Sequence, residues 1–240
     1  MLKKFLKNLF RKLGFEVKRY NLNTSQVALM ERLLEYHQIE LIFDVGANCG
    51  QYASFLRDCG YEGKIVSFEP LSSVYSQLLT LSKKDNLWEI APRSALGDQE
   101  GEITINIAGN SQSSSVLSML DAHVQAAPES VYCGSEIVQL RRLDTLAKDY
   151  IREGTQSIFL KIDVQGFEKQ VIEGSFQILP LVKGIQIEMS LVPLYDQQIL
   201  FEDMIEFMRQ LGYELYTIIP NFADKHTGRL LQIDGIFFKS

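Results

Sequence analysis

The chain has no basic surplus, no CxxC pair and no apolar run approaching the roughly 20 residues that cross a bilayer. Each absence removes a class. A net charge of −6 argues against a general nucleic-acid binder, which needs a basic surface. Three cysteines, Cys49, Cys59 and Cys133, are an odd set without zinc-site spacing. They point to reduced thiols in a cytoplasmic protein, not to a disulfide framework. There is no internal repeat, no linker-like stretch and no GxGxxG fingerprint, which counts against a nicotinamide dehydrogenase. What remains is 240 residues, 46% of them hydrophobic, the right amount for one α/β domain with a full core.

The charge is unevenly placed. Residues 1–20 carry seven basic side chains against Glu16, or +6, which leaves −12 for the rest of a chain whose total is −6. Leu2, Phe5, Leu6, Leu9, Phe10 and Leu13 recur at helical spacing, and Gly14 is a natural stop. Lysines interrupt the apolar positions too often for a signal-peptide core. The segment reads either as a helix lying on the inner face of an anionic membrane or as one docked on the domain or a partner chain.

From about residue 24 onward, strand and helix patterns alternate. A helix is expected over residues 25–36, a strand over 41–45, a helix over 50–59, a strand over 64–68 and a helix to about 82. Further strands are expected at 88–91, 102–107, 136–140, 158–162 and 184–188, with helices at 143–152, 167–179 and 199–211. The closing strands, 214–218 and 231–238, have no helix between them and should pair antiparallel. The expected fold is α/β: a Rossmann-like, doubly wound, mostly parallel seven-stranded sheet with a C-terminal antiparallel hairpin. Residues 1–37 would hold the basic helix and a lead-in helix, and 38–240 the domain. The serine-rich stretch 109–134 lacks periodicity and reads as a functional lid or a mobile insertion.

The most informative stretch is Leu41–Gly50, an apolar strand ending at Asp44 and running into a turn that carries Gly46 and Gly50. A second acid, Glu69, closes the next apolar run 25 residues later. In parallel α/β sheets ligands bind beyond the carboxyl ends of the strands, where Asp44, Glu69, Ser94 and Asp163 all fall. An acid after the second strand is suited to ribose hydroxyls, and glycines allow close approach of the backbone. Taken singly, the glycines also fit an ordinary strand-to-helix turn and Glu69 a helix cap. Together they suit a ligand joining a cationic amino acid to a nucleoside, as in S-adenosylmethionine.

Phe43–Gly50, Ser67–Pro70, Ser94–Asp98, Leu160–Glu168 and Gln232–Phe238 resemble, in order, the motifs of the FkbM methyltransferase family. The likeness runs over roughly residues 38–238. It implies S-adenosylmethionine-dependent O-methylation of a hydroxyl on a sugar or a natural product. By position, Asp44, Gly46, Asn48 and Gly50 would surround the methionine end and Glu69 would hold the ribose. Ser94 and Ala95 would flank adenine against Leu96, and Asp163 would stand near the sulfonium and the acceptor. The family pattern Asp-x-Glu-Gly-x-Glu is altered here, because Gln165 replaces the middle glutamate. Glutamine keeps hydrogen bonding but is neither a base nor a strong ligand for a hard metal, so no metal is assigned.

A base must take the hydroxyl proton. Asp163 is the first candidate, with a cofactor-orienting or structural carboxylate as the alternative. His123 is the second, since it lies in the serine-rich stretch and histidine titrates near neutral pH; the alternative is a solvated loop residue. Glu168 and Glu188 read as structural or substrate-orienting. Ser111, Ser113, Ser114 and Ser115 suit either a polyhydroxylated acceptor or a flexible linker, and Tyr132 and Tyr195 either sugar stacking or packing. The expected acceptor is a sugar of a glycan or glycoconjugate. The rivals are a lipid or natural-product hydroxyl, a non-catalytic cofactor-fold protein that binds a partner, and a nucleotide-dependent oxidoreductase.

Overall fold

The structure, a computed structural model, describes residues 8–10, 12–15 and 18–239. The expected basic helix falls largely outside these residues. Within them, residues 8–10 and 12 are helical, and Leu9, Phe10, Leu13 and Phe15 are exposed. Among the described residues no helix is long and apolar enough to cross a membrane.

Among the described residues, ten strands form two sheets. The larger takes β1 (Leu41–Val45), β2 (Lys64–Phe68), β3 (Trp88–Ile90), β7 (Ile158–Ile162), β8 (Val182–Ser190), β9 (Tyr213–Pro220) and β10 (Gln232–Lys239) in the order β3-β2-β1-β7-β8-β10-β9. Its first five strands run parallel. β10 enters antiparallel between β8 and β9, so the hairpin expected at the end of the chain is present. The smaller sheet, β4-β6-β5, collects β4 (Ala95–Leu96), β5 (Gly101–Ala108) and β6 (Tyr132–Arg141). Two of the alternating segments read from the sequence therefore leave the main sheet. The helices are α1 (Gln26–Tyr36), α2 (Gln51–Asp58), α3 (Ser72–Ser82), α4 (Asp121–Ala126), α5 (Leu143–Leu146), α6 (Glu168–Glu173) and α7 (Phe201–Gln210).

β1 and β7 are buried along their whole length, as parallel strands covered on both faces must be. Their two-residue period divides the core. Phe43, Val66 and Leu160 belong to one cluster with Val171 of α6 and Met204 and Met208 of α7. Ile42, Ile65 and Phe159 point the other way, toward Leu34 of α1 and Leu56 of α2. The lead-in helix thus shares a core with the sheet. α5 and α6 are shorter than the helices read from the sequence. The first passes into a 3-10 turn over Ala147–Asp149, and the second stops at Gly174, where an added Cβ would lie 1.9 Å from the Gly97 carbonyl oxygen.

The serine-rich stretch is neither a linker nor unstructured. It contains α4 and a 3-10 turn, Pro128–Ser130. Ser115 is fully buried and donates to the Gln165 carbonyl (2.6 Å), while the Ser114 hydroxyl accepts the Ala108 N–H (2.9 Å).

Candidate active site

A line of polar residues crosses the buried sheet. Ser67 on β2, Asp44 on β1, Lys161 on β7 and Gln186 on β8 are register neighbours, the first three next to last in their strands and Gln186 at the middle of the longer β8. Asp44 is completely buried. It accepts from the Ser67 hydroxyl (3.1 Å), which in turn accepts from the Trp88 indole (2.9 Å). The Lys161 ammonium lies 3.3 Å from Asp44 and 3.7 Å from Asp163, and donates to the Gly46 carbonyl (3.0 Å). Burial works against the lysine's charge, but Asp44 and Asp163 outweigh it and hold its pKa above the usual range. Lys161 thereby ties the loop after β1 to the end of β7.

That loop is tight. Gly46 has φ +76°, and an added Cβ would lie 1.8 Å from the Asp163 carbonyl oxygen. Only glycine fits such a position, because it combines a left-handed backbone with backbone-to-backbone contact. The Asn48 N–H then donates to Glu69 (2.8 Å), whose second oxygen accepts the Leu71 N–H at 2.8 Å. Glu69 is not itself the N-cap of α3, a position held by Leu71. Glu69 supports the chain entering α3, and it also lines a cavity of about 570 Å³.

The cavity is large enough for a cofactor, in the range of roughly 300–1,000 Å³ typical of ligand pockets. Of the residues assigned to the cofactor, Gly46, Asn48, Glu69, Ala95, Leu96 and Asp163 line it. Asp44, Gly50 and Ser94 do not. Asp44 acts from beneath through Lys161, Gly50 faces the Trp88 and Leu78 side chains, and the Ser94 hydroxyl bonds the Pro92 carbonyl. Leu71 and Phe167 add apolar wall near Leu96.

The far end of the cavity is polar. Asp163 accepts from the Gln165 amide (2.8 Å), and the same amide nitrogen donates to Glu188 at 2.6 Å. Tyr195 donates to the side-chain amide oxygen of Gln165 (2.7 Å), so this tyrosine is a buried support and not a stacking platform. Tyr132 is likewise occupied, donating to the Leu117 carbonyl (2.8 Å). Gln165 itself is in the left-handed region at φ +58°. Glu168 accepts the N–H groups of Val164 (3.1 Å) and Gly166 (3.0 Å) and so shapes the turn that presents Asp163.

His123 lines the cavity from α4, but it is not the near-neutral loop residue expected. It is 2% exposed, packs edge-on to Tyr195 and lies beside Phe222, and burial lowers its pKa to about 4. At neutral pH it is an uncharged, weak base. Sequence reasoning passed over Lys161, Gln186, Asn221 and Asp234, all of which line the cavity. Lys161 left a signal as a charge inside the otherwise apolar run Ile158–Ile162, and Asp234 as the charge in the motif Gln232–Phe238.

Residues 44–215 match the model of the methyltransferase FkbM domain. The chain belongs to the FkbM methyltransferase family. It is therefore a methyltransferase using S-adenosylmethionine. The match includes Asp44, Glu69, Asp163 and Gln165, and ends within β9. No curated protein matches the chain. Among solved structures, it resembles TehB from Haemophilus influenzae (10% identity, TM-score 0.46, 87% of this chain), spanning 60% of that protein's chain. It also resembles a putative RNA methyltransferase from Pyrococcus horikoshii, at 10% identity and TM-score 0.45 over 100% of this chain and 96% of that one. A third is magnesium protoporphyrin IX methyltransferase from Synechocystis, at 7% identity and TM-score 0.47 over 89% and 78%.

The residues present fit the cofactor of an FkbM enzyme. A buried carboxylate, Glu69, reaches the cavity with lone pairs left after two backbone N–H groups are satisfied, as two ribose hydroxyls require. Burial pushes the Glu69 pKa up to about 7, opposed by the N–H groups of Leu71 and Asn48. Hydroxyl donors favour the ionised carboxylate, so binding should release its proton. Affinity for S-adenosylhomocysteine is then expected to be full above the Glu69 pKa and to fall below it by up to about tenfold per pH unit. Calorimetric titrations at about pH 6 and about pH 8 check this, with Glu69→Gln expected to flatten the dependence. A wild-type affinity that does not change with pH would remove Glu69 from the ribose site.

Proposed function

We propose that this FkbM enzyme transfers the methyl group to a hydroxyl of a sugar in a glycan or glycoconjugate. The observation that carries the reading is the placement of Asp163. It lies at the carboxyl end of β7, lines the cavity, and has a one-third exposed side chain held by Gln165 and Lys161. When bound, the cofactor supplies an electrophilic methyl group. Methyl transfer to a hydroxyl leaves a proton to remove, and Asp163 is the acceptor best placed to take it. Gln165 orients the carboxylate, and Lys161 below it keeps the site from being occupied by uncompensated negative charge. The wall beyond Asp163 mixes amide donors with carboxylate acceptors, which suits a ligand whose every hydroxyl both donates and accepts.

The test is transfer of labelled methyl from S-adenosylmethionine to a panel of oligosaccharides, lipid-linked glycans, plain lipids and small phenolic alcohols, with products mapped by NMR. Methyl ethers on sugar rings are expected. Transfer confined to a nitrogen, a lipid hydroxyl or a phenol would replace the sugar reading.

A further inference from the structure

β10 enters the sheet between β8 and β9, and in doing so it brings a second carboxylate pair to the same rim as Asp163. Glu188 on β8 and Asp234 on β10 are direct antiparallel partners. Asn221, the first residue after β9, donates its amide to both, at 2.9 Å to Glu188 and 3.3 Å to Asp234. Gln232 donates to Glu188 (2.8 Å) and Gln186 to Asp234 (3.2 Å), while Tyr52 donates to the side-chain amide oxygen of Gln186 at 2.8 Å. All of these residues line the cavity.

The charges on this wall are one-sided. Every donor named is a neutral amide or a phenol. Lys161 is engaged by Asp44, and Lys225 at the mouth is paired with Glu129 at 3.5 Å with its side chain 75% exposed. Lys161 also lies 3.7 Å from Asp163, so Asp44 and Asp163 share this one buried cation, while Glu188 and Asp234 face the cavity with no ion pair among the described residues. Two further observations mark this end as a place for a ligand. Phe222 offers an apolar ring to the same space, and the Nδ1 of His123 is buried with no hydrogen-bond partner.

Resting on the sugar reading above, we propose that Glu188, Asp234, Asn221 and Phe222 form the acceptor subsite, and that it selects a sugar ring without an anionic substituent. Carboxylates accept from hydroxyl pairs or from an ammonium group, and the second amide N–H of Gln186, beyond the one given to Asp234, is left to donate to a ring oxygen. Phe222 covers an apolar ring face. A uronate, phosphate or sulfate substituent adds acceptors and the same sign of charge as Asp163 and Asp234, so it is rejected by repulsion and not by size.

The experiment measures kcat/KM with methyl glucoside, methyl glucosaminide and methyl glucuronide, after S-adenosylhomocysteine binding has been established by calorimetry. The neutral and amino glycosides are expected to exceed the uronide by at least about tenfold. Asp234→Asn is expected to narrow that gap while leaving S-adenosylhomocysteine affinity unchanged. Asn221→Lys, which puts a cation in place of an exposed amide between Glu188 and Asp234, is expected to raise turnover of the uronide. A uronide used as well as the glucoside, or a gap that neither variant moves, overturns the subsite while the sugar reading stands. Failure to methylate any glycoside by a protein that binds S-adenosylhomocysteine overturns both.

Discussion

Replacing Lys161 with methionine is expected to destabilise the fold by about 3–5 kcal/mol, because it strands the fully buried Asp44 without a cation. In a domain of this size that corresponds to a fall in Tm of roughly 2–4 °C per kcal/mol. The loss has a second component. Lys161 also donates to the Gly46 carbonyl, so the loop that carries Asn48 should lose its tether to β7. Urea denaturation of the wild type, Lys161→Met, Asp44→Asn and the double variant forms a thermodynamic cycle. The double variant is expected to be clearly more stable than the sum of the single changes allows, since neither buried charge then remains. Strict additivity, or a single-variant loss under about 1 kcal/mol, would show that the pair does not act as a unit.

Asp163→Asn should abolish most of the turnover and little of the cofactor binding. Asparagine keeps the shape, and its carbonyl oxygen can still accept from the Gln165 amide now placed 2.8 Å away. It cannot take a proton. General-base catalysis contributes about 10²–10⁴-fold, and a loss of that order in kcat is expected. S-adenosylhomocysteine should bind the variant with an affinity changed far less than the rate. The comparison variant is His123→Phe. With its pKa near 4 and its ring packed against Tyr195, His123 should affect stability more than the acidic limb of the pH–rate profile. A variant lacking the Asp163 carboxylate that retains near-normal kcat would transfer the base to another group.

The main sheet was legible because its strands are short, apolar and separated by amphipathic helices. Leu41–Val45 and Ile158–Ile162 match their predicted bounds for that reason. The small sheet was not, because alternation in 102–107 and 136–140 says that a segment is a half-buried strand and not which sheet it joins. Those strands pair with each other and, through β4, pack against Leu71 and Val74. The serine-rich stretch leaves its two readings open in the sequence for a related reason. Serines that bond buried backbone groups have the same composition as serines in a flexible linker.

For the site, the sequence by itself determined the residues whose role is local: Gly46 in its turn, Glu69 at a strand end before Pro70, Asp163 at the end of β7. Their meaning depends on neighbours along the chain, so spacing carries it. Only the tertiary structure decided that Asp44 lies under the cavity and not in it, that His123 is buried and weakly basic, and that Asn221 and Asp234 meet Glu188 beside Asp163. Strand register sets those relations, joining residues more than 30 positions apart, and burial then sets their charge. Neither quantity is a property of any local stretch of sequence.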